Sequence, residues 1–509
     1  MGFITLRLIL ILMVLALGGS LLAIAGAIGS LRSRKRSIRP AIILLALAIL
    51  GLAGWTVTCW PVGDQPHSPM LVADPLALYT AMVAIAGTIL AVLVAANQPA
   101  EDLAGEFVAM ILFAAAGLVM VGMANNLLVM FLALELVSIP GFILVGLSRR
   151  HALAEEAAAK YFFLGVLATA LTALGFVLLY GASGGMGLGA GGEPTLQAAV
   201  GTANLKHWLA MVGLIIAFAG LTFKITAIPF YFYAPDVYQG SAANVSAIIA
   251  FLPKMAGFIA LLRIFAWVGF DGAIWQTFFP ILWVVAAGTT TAGNVLALLQ
   301  SDVKRILAYS SVAHSGYMLI GVAAVTGASA GLQNGLAAVL FYIFIYGLMT
   351  LGAFGVIGYL SNLRARSSAR DELSDLGDLA GLWRVQPLMA LILAVCVLSL
   401  LGIPPLAGFW AKVYIFTSAL AGSRWLIVLA VVGLLNAAVA AGYYLRIIAA
   451  AYFSEPTKAS ALLPETPDRV ARISKSGLML VSAAVIVIGL APAKLMHLCD
   501  LAARSLLPR

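Results

Sequence analysis

Apolar runs of about 20 residues, each long enough as a helix to cross a hydrocarbon layer, recur from one end of this chain to the other. No polar stretch long enough for a water-soluble domain separates them. Backbone groups in lipid must bond to one another, and these runs are too long and too uniformly apolar for barrel strands, so they are read as helices. Composition agrees: 63% of the 509 residues are hydrophobic and 10% are charged, with a mean hydropathy of +1.07. That leaves too little polar surface to cover a soluble globule of this size. The expected fold class is all-α, a polytopic transmembrane helical protein.

Fourteen spans are expected, at about residues 5–30, 40–60, 74–96, 106–123, 126–148, 157–181, 208–232, 243–268, 274–299, 304–326, 332–360, 386–421, 425–453 and 474–493. The first is not a secretory leader, because only Arg7 precedes it while Arg32, Arg34, Lys35, Arg36 and Arg39 follow it. With the amino terminus outside, 18 of the 29 lysines and arginines fall on the cytoplasmic side and seven outside, Arg263 among them. Membrane orientation therefore accounts for the net charge of +9, which carries no implication of nucleic-acid binding. The remaining four, Lys160, Lys224, Lys254 and Lys412, lie inside expected spans.

A charge at the centre of a bilayer costs roughly 2.5 to 10 kcal/mol or more, so such residues face a protein or water-filled interior and mark ion paths. Lys224, in GLTFKITAIPF, is followed by Pro229, which removes a helical hydrogen bond and breaks the seventh span near its lysine. Lys412, in LGIPPLAGFWAKVYIF, follows Pro404 and Pro405, which interrupt a twelfth run too long for one straight crossing. Lys254 follows Pro253 at the middle of the eighth span, and Glu135 lies at the middle of the fifth in VMFLALELVSIPGF. One intramembrane lysine can simply pair with a carboxylate and lock two helices. One glutamate cannot neutralise three lysines, so part of this set is hydrated, neutral, or paired beyond this chain.

The two broken helices are five spans apart, and an odd shift inverts membrane orientation. Two inverted five-helix repeats are therefore expected, at 106–270 and 271–455, preceded by a three-helix segment at 1–105 and followed by a cytoplasmic loop and last span at 456–509.

Other features read more simply. His314, in AHSGYML, is the only histidine inside an expected span and titrates near neutrality, which suits a relay. His67, His151, His207 and His497 show no metal-ligand spacing, and no metal site is expected. Cys59, Cys396 and Cys499 are too scattered to suggest redox chemistry. Gly187 to Gly192 fits GxGxxG but follows no strand, which argues against a dinucleotide site. Lys160 is either a path residue or an interfacial lysine neutralised by Glu155 and Glu156. Lys304 and Arg305 read as positive-inside anchors, and Asp74 and Asp236 as capping or solvated groups at span ends.

The segments TFKITAIPFYFYAPDVYQG, AFLPKMAGFIALLRIF, SDVKRILAYSSVAHSGYML and LGIPPLAGFWAKVYIF resemble the antiporter-like membrane subunits of respiratory NADH:quinone oxidoreductase (complex I), subunit N most closely. The resemblance covers roughly spans 4 to 13 and implies a proton-translocating membrane-arm subunit. It implies that Glu135 and Lys224 interact, that Lys254 is a central relay and that Lys412 leads toward a neighbouring subunit or exit. His314 joins this line, with Tyr309, Tyr231 and Lys160 as accessory groups and Pro229, Pro404 and Pro405 at the breaks. No cofactor is expected in this chain. NADH, FMN, iron–sulfur clusters and quinone belong to partner subunits, namely antiporter-like and small hydrophobic chains of the same complex. The implied location is the inner membrane of a bacterium, with both termini outside.

The chain departs from the family where histidine and tryptophan are common after the break, having Tyr231 and Tyr233 instead. With a reference pKa of about 10, tyrosine carries protons poorly at neutral pH. Burial disfavours the charged form of a lysine and a nearby carboxylate favours it, so making and breaking the Glu135–Lys224 contact would act as a proton switch. The alternative reading is a subunit of a cation/proton antiporter or of a membrane-bound hydrogenase complex. A lipid-modifying membrane enzyme would need a catalytic cluster at an interface, and none is visible.

Overall fold

The computed structural model describes residues 2–32, 38–58, 60, 68–98, 103–148, 152–189, 196–201, 205–270, 272–325, 334–366, 373–456 and 469–507. His67, His151, Cys59, the basic residues Arg34, Lys35, Arg36, Arg149, Arg150, Arg370, Lys458 and Arg509, and part of the Gly187–Gly192 run lie outside them. Nineteen helices are described: α1 (Gly2–Arg32), α2 (Arg39–Thr58), α3 (Pro75–Val94), α4 (Ala104–Met123), α5 (Leu127–Leu147), α6 (Ala152–Ser183), α7 (Leu196–Val200), α8 (Leu205–Lys224), α9 (Ala234–Gly240) and α10 (Ala243–Val268). They continue with α11 (Ala273–Leu298), α12 (Val303–Ala323), α13 (Gly335–Arg366), α14 (Leu382–Val385), α15 (Pro387–Leu401), α16 (Ala407–Leu420), α17 (Arg424–Phe453), α18 (Arg469–Leu490) and α19 (Ala493–Arg504).

Thirteen of these are long and apolar enough to cross a membrane. The twelfth expected span is instead split into α15 and α16, of 15 and 14 residues. At 1.5 Å per residue neither crosses alone. Thirteen continuous crossings and one broken one thus match the fourteen expected spans.

The seventh span stops earlier than the expected 232. Its helix α8 ends at Lys224, and the chain passes through an irregular segment and a single turn at Tyr231–Tyr233 before resuming as α9. The physical reason lies in the residues after the lysine. The Thr226 N–H bonds to Phe223 O at 3.1 Å and the Ala227 N–H bonds back to Thr222 O at 2.8 Å. This is the closure of a helix C-terminus around a left-handed residue, here Thr226 at φ 59°. A β-branched residue rarely adopts that conformation. At the other break the same position is held by Gly402 at φ 93°, with Ile403 N bonding to Leu398 O at 3.1 Å. Each break contains a cis peptide, Ile228–Pro229 and Pro404–Pro405.

Burial sorts the helices. The central helices α10, α12 and α13 are enclosed almost completely, whereas α1, α2, α6 and α17 keep much of their apolar surface exposed, including Phe163, Val177, Leu435 and Phe453. Apolar area on that scale is a lipid-facing surface. Exposed Trp55, Trp208 and Trp425 lie near helix ends, as membrane-interface anchors do. Close approach between helices depends on small residues. A Cβ on Gly175 would come within 2.4 Å of Ala217 N where α6 meets α8, and one on Gly293 within 2.4 Å of Ala313 N where α11 meets α12.

Two expectations change. Arg263, assigned to the outer side, is buried in α10, and its guanidinium binds both carboxylate oxygens of Asp74 at 2.8 and 2.9 Å and the carbonyl of Gly122 at 2.9 Å. Asp74 also caps α3, accepting from Ala77 N at 2.8 Å. One buried carboxylate and one buried arginine therefore tie α3, α4 and α10 together. Beyond α18 the chain forms the further helix α19, which buries Met496, Cys499, Ala502 and Ala503 and exposes Leu498 and Leu501. Its charged residues Lys494, Asp500 and Arg504 dilute its hydropathy, so it does not read as a span.

Removing one partner of a buried ion pair strands the other charge, at a cost of about 3–5 kcal/mol. Arg263→Met is therefore expected to lower the thermal unfolding midpoint of the purified protein markedly, and Arg263→Met combined with Asp74→Leu to recover part of the loss.

Candidate functional site

The break after α8 assembles the first part of the site. Lys224 Nζ lies 3.1 Å from Glu135 Oε1 and 2.5 Å from Ser138 Oγ, and Thr169 Oγ1 donates to the same Glu135 oxygen at 2.8 Å. Glu135 and Ser138 are three apart on α5 and so share a face. Thr169 comes from α6, antiparallel to it. The expected Glu135–Lys224 contact is thus made, in a shell of two hydroxyls. Lys224 is 6% exposed and the Glu135 side chain 20% exposed.

From the break a line of polar groups runs through the centre. Ser315 Oγ donates to the carbonyl of Ile225, the residue after Lys224, and to Ser311 O at 3.2 Å. Lys254 Nζ bonds to the same Ser311 O at 2.6 Å and to Ser311 Oγ at 2.6 Å, and lies 4.8 Å from the centre of the Tyr346 ring. Tyr346 OH donates to Ser311 Oγ at 2.7 Å. Lys254 thus sits among neutral oxygens and a ring face.

His314 continues the line, with Nδ1 2.8 Å from Tyr342 OH and Nε2 3.0 Å from Tyr444 OH. Tyr444 in turn contacts Ser310 and Tyr443. Tyr443 OH donates to Asn294 Oδ1 at 3.0 Å, and Asn294 Nδ2 to Tyr317 OH at 3.1 Å. Lys412 Nζ lies 5.3 Å from the centre of the Tyr317 ring and donates to Leu401 O at 2.7 Å. Leu401 is the last residue of the half-helix α15, so the ammonium faces the negative end of a helix. Lys224, Lys254, His314 and Lys412 thus lie in hydrogen-bonded groups joined by ring contacts, His314 to Tyr346 at 5.3 Å, Tyr443 to Tyr444 at 4.4 Å and Lys412 over Tyr317.

The accessory residues lie elsewhere. Lys160 is 43% exposed and pairs with Glu156 at 2.7 Å and Asp236 at 3.0 Å, while Asp236 also binds Arg305 at 2.9 Å. Tyr309 is half-buried beside Arg305 and Tyr231. Asp236 is therefore the centre of an ion cluster, with its side chain still 41% exposed. Lys304 is buried rather than a surface anchor, and donates to Gln239 O at 2.6 Å and Ser241 O at 3.1 Å, closing the end of α9. Tyr233, which stands where the family commonly has tryptophan, donates to Phe223 O at 3.0 Å at the end of α8. His207, expected just outside a span, is buried within α8. Among the described residues no three His, Cys, Asp or Glu side chains converge as metal ligands.

The sequence reading missed the uncharged members: Ser138, Thr169, Ser310, Ser311, Ser315, Tyr342, Tyr346, Tyr443, Tyr444 and Asn294. A signal was present. Tyr342 and Tyr346 are four apart, as are Ser310 and His314 and as are Ser311 and Ser315, which places each pair on one helical face.

The comparisons agree with this arrangement. A family described as NADH:quinone oxidoreductase/Mrp antiporter, transmembrane, matches residues 124–436, more than half of the chain. "NADH-quinone oxidoreductase subunit N 2" of Roseiflexus castenholzii is 36% identical over 467 residues, covering 91% of this chain and 89% of that protein. A chain of respiratory complex I from Thermus thermophilus with bound Aureothin superposes with a TM-score of 0.75 at 30% identity, covering 96% of this chain and 98% of that one. A chain of the Mrp complex from Dietzia sp. shares the fold, with a TM-score of 0.79 at 21% identity over 99% of this chain and 98% of that one. The chain belongs to the NADH:quinone oxidoreductase/Mrp antiporter membrane-subunit family, among its subunit N members.

Proposed function

We propose that this chain is a membrane-arm subunit of a proton-pumping NADH:quinone oxidoreductase and that the series from Glu135 to Lys412 is its proton path. The subunit N relatives support the first part. The observation that carries the second is the run of hydrogen-bonded polar groups, joined by aromatic ring contacts, through helices that are otherwise apolar.

The chemistry follows from the donors and acceptors. While Lys224 is paired with Glu135 its ammonium is stabilised, and separation of the pair releases a proton toward the interior. Serine and tyrosine hydroxyls both donate and accept, so Ser315, Ser311, Tyr346, Tyr342 and Tyr444 order water along the route, and that water passes protons between lysines. His314 can exchange a proton at either ring nitrogen. Each lysine can give up its proton, whereas an arginine holds it.

Quinone reduction in partner subunits supplies the energy. NADH, FMN, iron–sulfur clusters and quinone are assigned to those partners, and this chain acts in the enzyme as a translocating subunit. The lysine and arginine distribution supports an orientation with both termini outside, and the bacterial subunit N relatives support a bacterial inner membrane. In that orientation the Lys160–Asp236–Arg305 cluster faces the cytoplasm, which makes it an accessory collecting site. A second reading, a cation/proton antiporter subunit, is favoured by the fold shared with the Mrp chain. Mass spectrometry of the chains that copurify separates the two, since redox subunits support the first and antiporter subunits alone the second.

Lys224→Met and Lys224→Arg are both expected to abolish proton pumping by the reconstituted complex while leaving it assembled, and normal acidification of proteoliposomes by either variant contradicts the switch. Ser311→Ala removes one of the two oxygens on Lys254. A hydrogen bond to a charged group is worth about 1.5–3 kcal/mol, so pumping should slow by about tenfold or more, read as initial acidification rate.

A further inference from the structure

Three aromatic rings stack at one level of the bundle, and a fourth meets them edge-on. Tyr233 lies 4.3 Å from Phe223 and 5.4 Å from Tyr161, with interplanar angles of 29° and 14°. Phe142 meets Tyr161 edge-on at 4.7 Å. These rings come from α5, α6, the end of α8 and the turn before α9.

Their level is fixed by the antiparallel pairing of α5 and α6. Glu135 on α5 meets Thr169 on α6, and seven residues further along α5 Phe142 meets Tyr161, eight residues earlier on α6. One turn beyond Tyr161, on the side away from Glu135, a cleft of about 180 Å³ opens between α6 and α9. It is lined by Glu156, Lys160, Asp236 and Gln239, with Leu153 and Gly240 at its edge. Gly240 lets α9 lie directly on α6, since a Cβ there would come within 2.6 Å of Leu153 O. Along α6 the order is therefore charged cleft, ring stack, and the Thr169 contact to the Glu135–Lys224 ion pair. Lys160 lies in the cleft at 43% exposure, and Tyr161, the next residue, is 3% exposed within the stack.

Two glycines border the stack. Phe142 seats on Gly165, where a Cβ would come within 2.3 Å of the ring, so no side chain separates the ring from α6. The Tyr161 hydroxyl faces Gly141, where even an added Cβ would stand 3.6 Å away. On that side the ring borders backbone rather than a side chain.

Resting on the relay reading above, we propose that Tyr161 is a positioning residue of a gate: the packed rings of Phe142, Tyr161, Phe223 and Tyr233 separate the cleft from the Glu135–Lys224 pair and admit water only when Tyr161 swings aside. The ring, not the hydroxyl, does the sealing. A closed stack keeps the pair out of contact with bulk water on the cleft side, so protons enter only when the subunit changes conformation.

The test places a reporter behind the stack. Ser138→Cys is introduced in the assembled complex, and its reaction with a charged, membrane-impermeant methanethiosulfonate applied from the cleft side is followed against the parent complex. Labelling is expected to be slow with the native rings and with Tyr161→Phe. Tyr161→Ala and Phe142→Leu are expected to speed it by on the order of tenfold and to lower the protons pumped per NADH oxidised. If Tyr161→Ala does not assemble, Phe142→Leu, which keeps the tyrosine, carries the test. Equal labelling rates with and without the intact stack overturn the gate, and so does acceleration by Tyr161→Phe equal to that by Tyr161→Ala. Labelling reports water access rather than proton transfer, so it stands apart from the relay: normal pumping by the Lys224 variants defeats the relay and leaves the labelling result intact.

Discussion

Everything in this chain depends on one constraint, that lipid offers no hydrogen bonds, so each polar group inside the membrane must find its partner within the protein. Continuous helices meet the demand for their own backbones. The two breaks do not, and the lost bonds are replaced individually. Ser315 and Tyr233 donate to the carbonyls of Ile225 and Phe223 at the first break, and Lys412 donates to Leu401 at the second. Two of these three groups, Ser315 and Lys412, also belong to the proposed path. A site built in this way cannot change conformation without exchanging partners, which is the property a proton switch requires.

The three central lysines are held differently. Lys224 has a carboxylate partner, whereas Lys254 and Lys412 rest on carbonyl and hydroxyl oxygens and on tyrosine rings. Neutral oxygens stabilise an ammonium less than a carboxylate does, so a proton delivered to Lys254 or Lys412 is more easily passed on. Arg263 shows the contrasting use of a buried charge. Its guanidinium is fixed by both oxygens of Asp74 and by Gly122, and it clamps three helices without exchanging protons.

The spans and the positions of both breaks were legible because each depends on local features, apolar length or proline, whereas the contact of Glu135 with Lys224, 89 residues apart, was implied only by the family resemblance. The uncharged members of the polar line were not, because serine and tyrosine are common in membrane helices and declare themselves only by what they face. Arg263 was misassigned because its position near a span end fitted a surface count, while its partner Asp74 is 189 residues away. Lys160 and Asp236 are brought together across 76 residues by the break itself, so their cluster could not be read before the path of the chain was known. The inverted repeats rest on the spacing of the two broken helices alone.

The central claim is that the Glu135–Lys224 contact opens and closes as the complex turns over. Reaction-induced infrared difference spectroscopy on the assembled complex, with NADH and quinone added, measures it directly. A carboxylate band that shifts during turnover and disappears in Glu135→Gln is the predicted result. A Glu135 band that stays unchanged while the complex pumps protons would contradict the account.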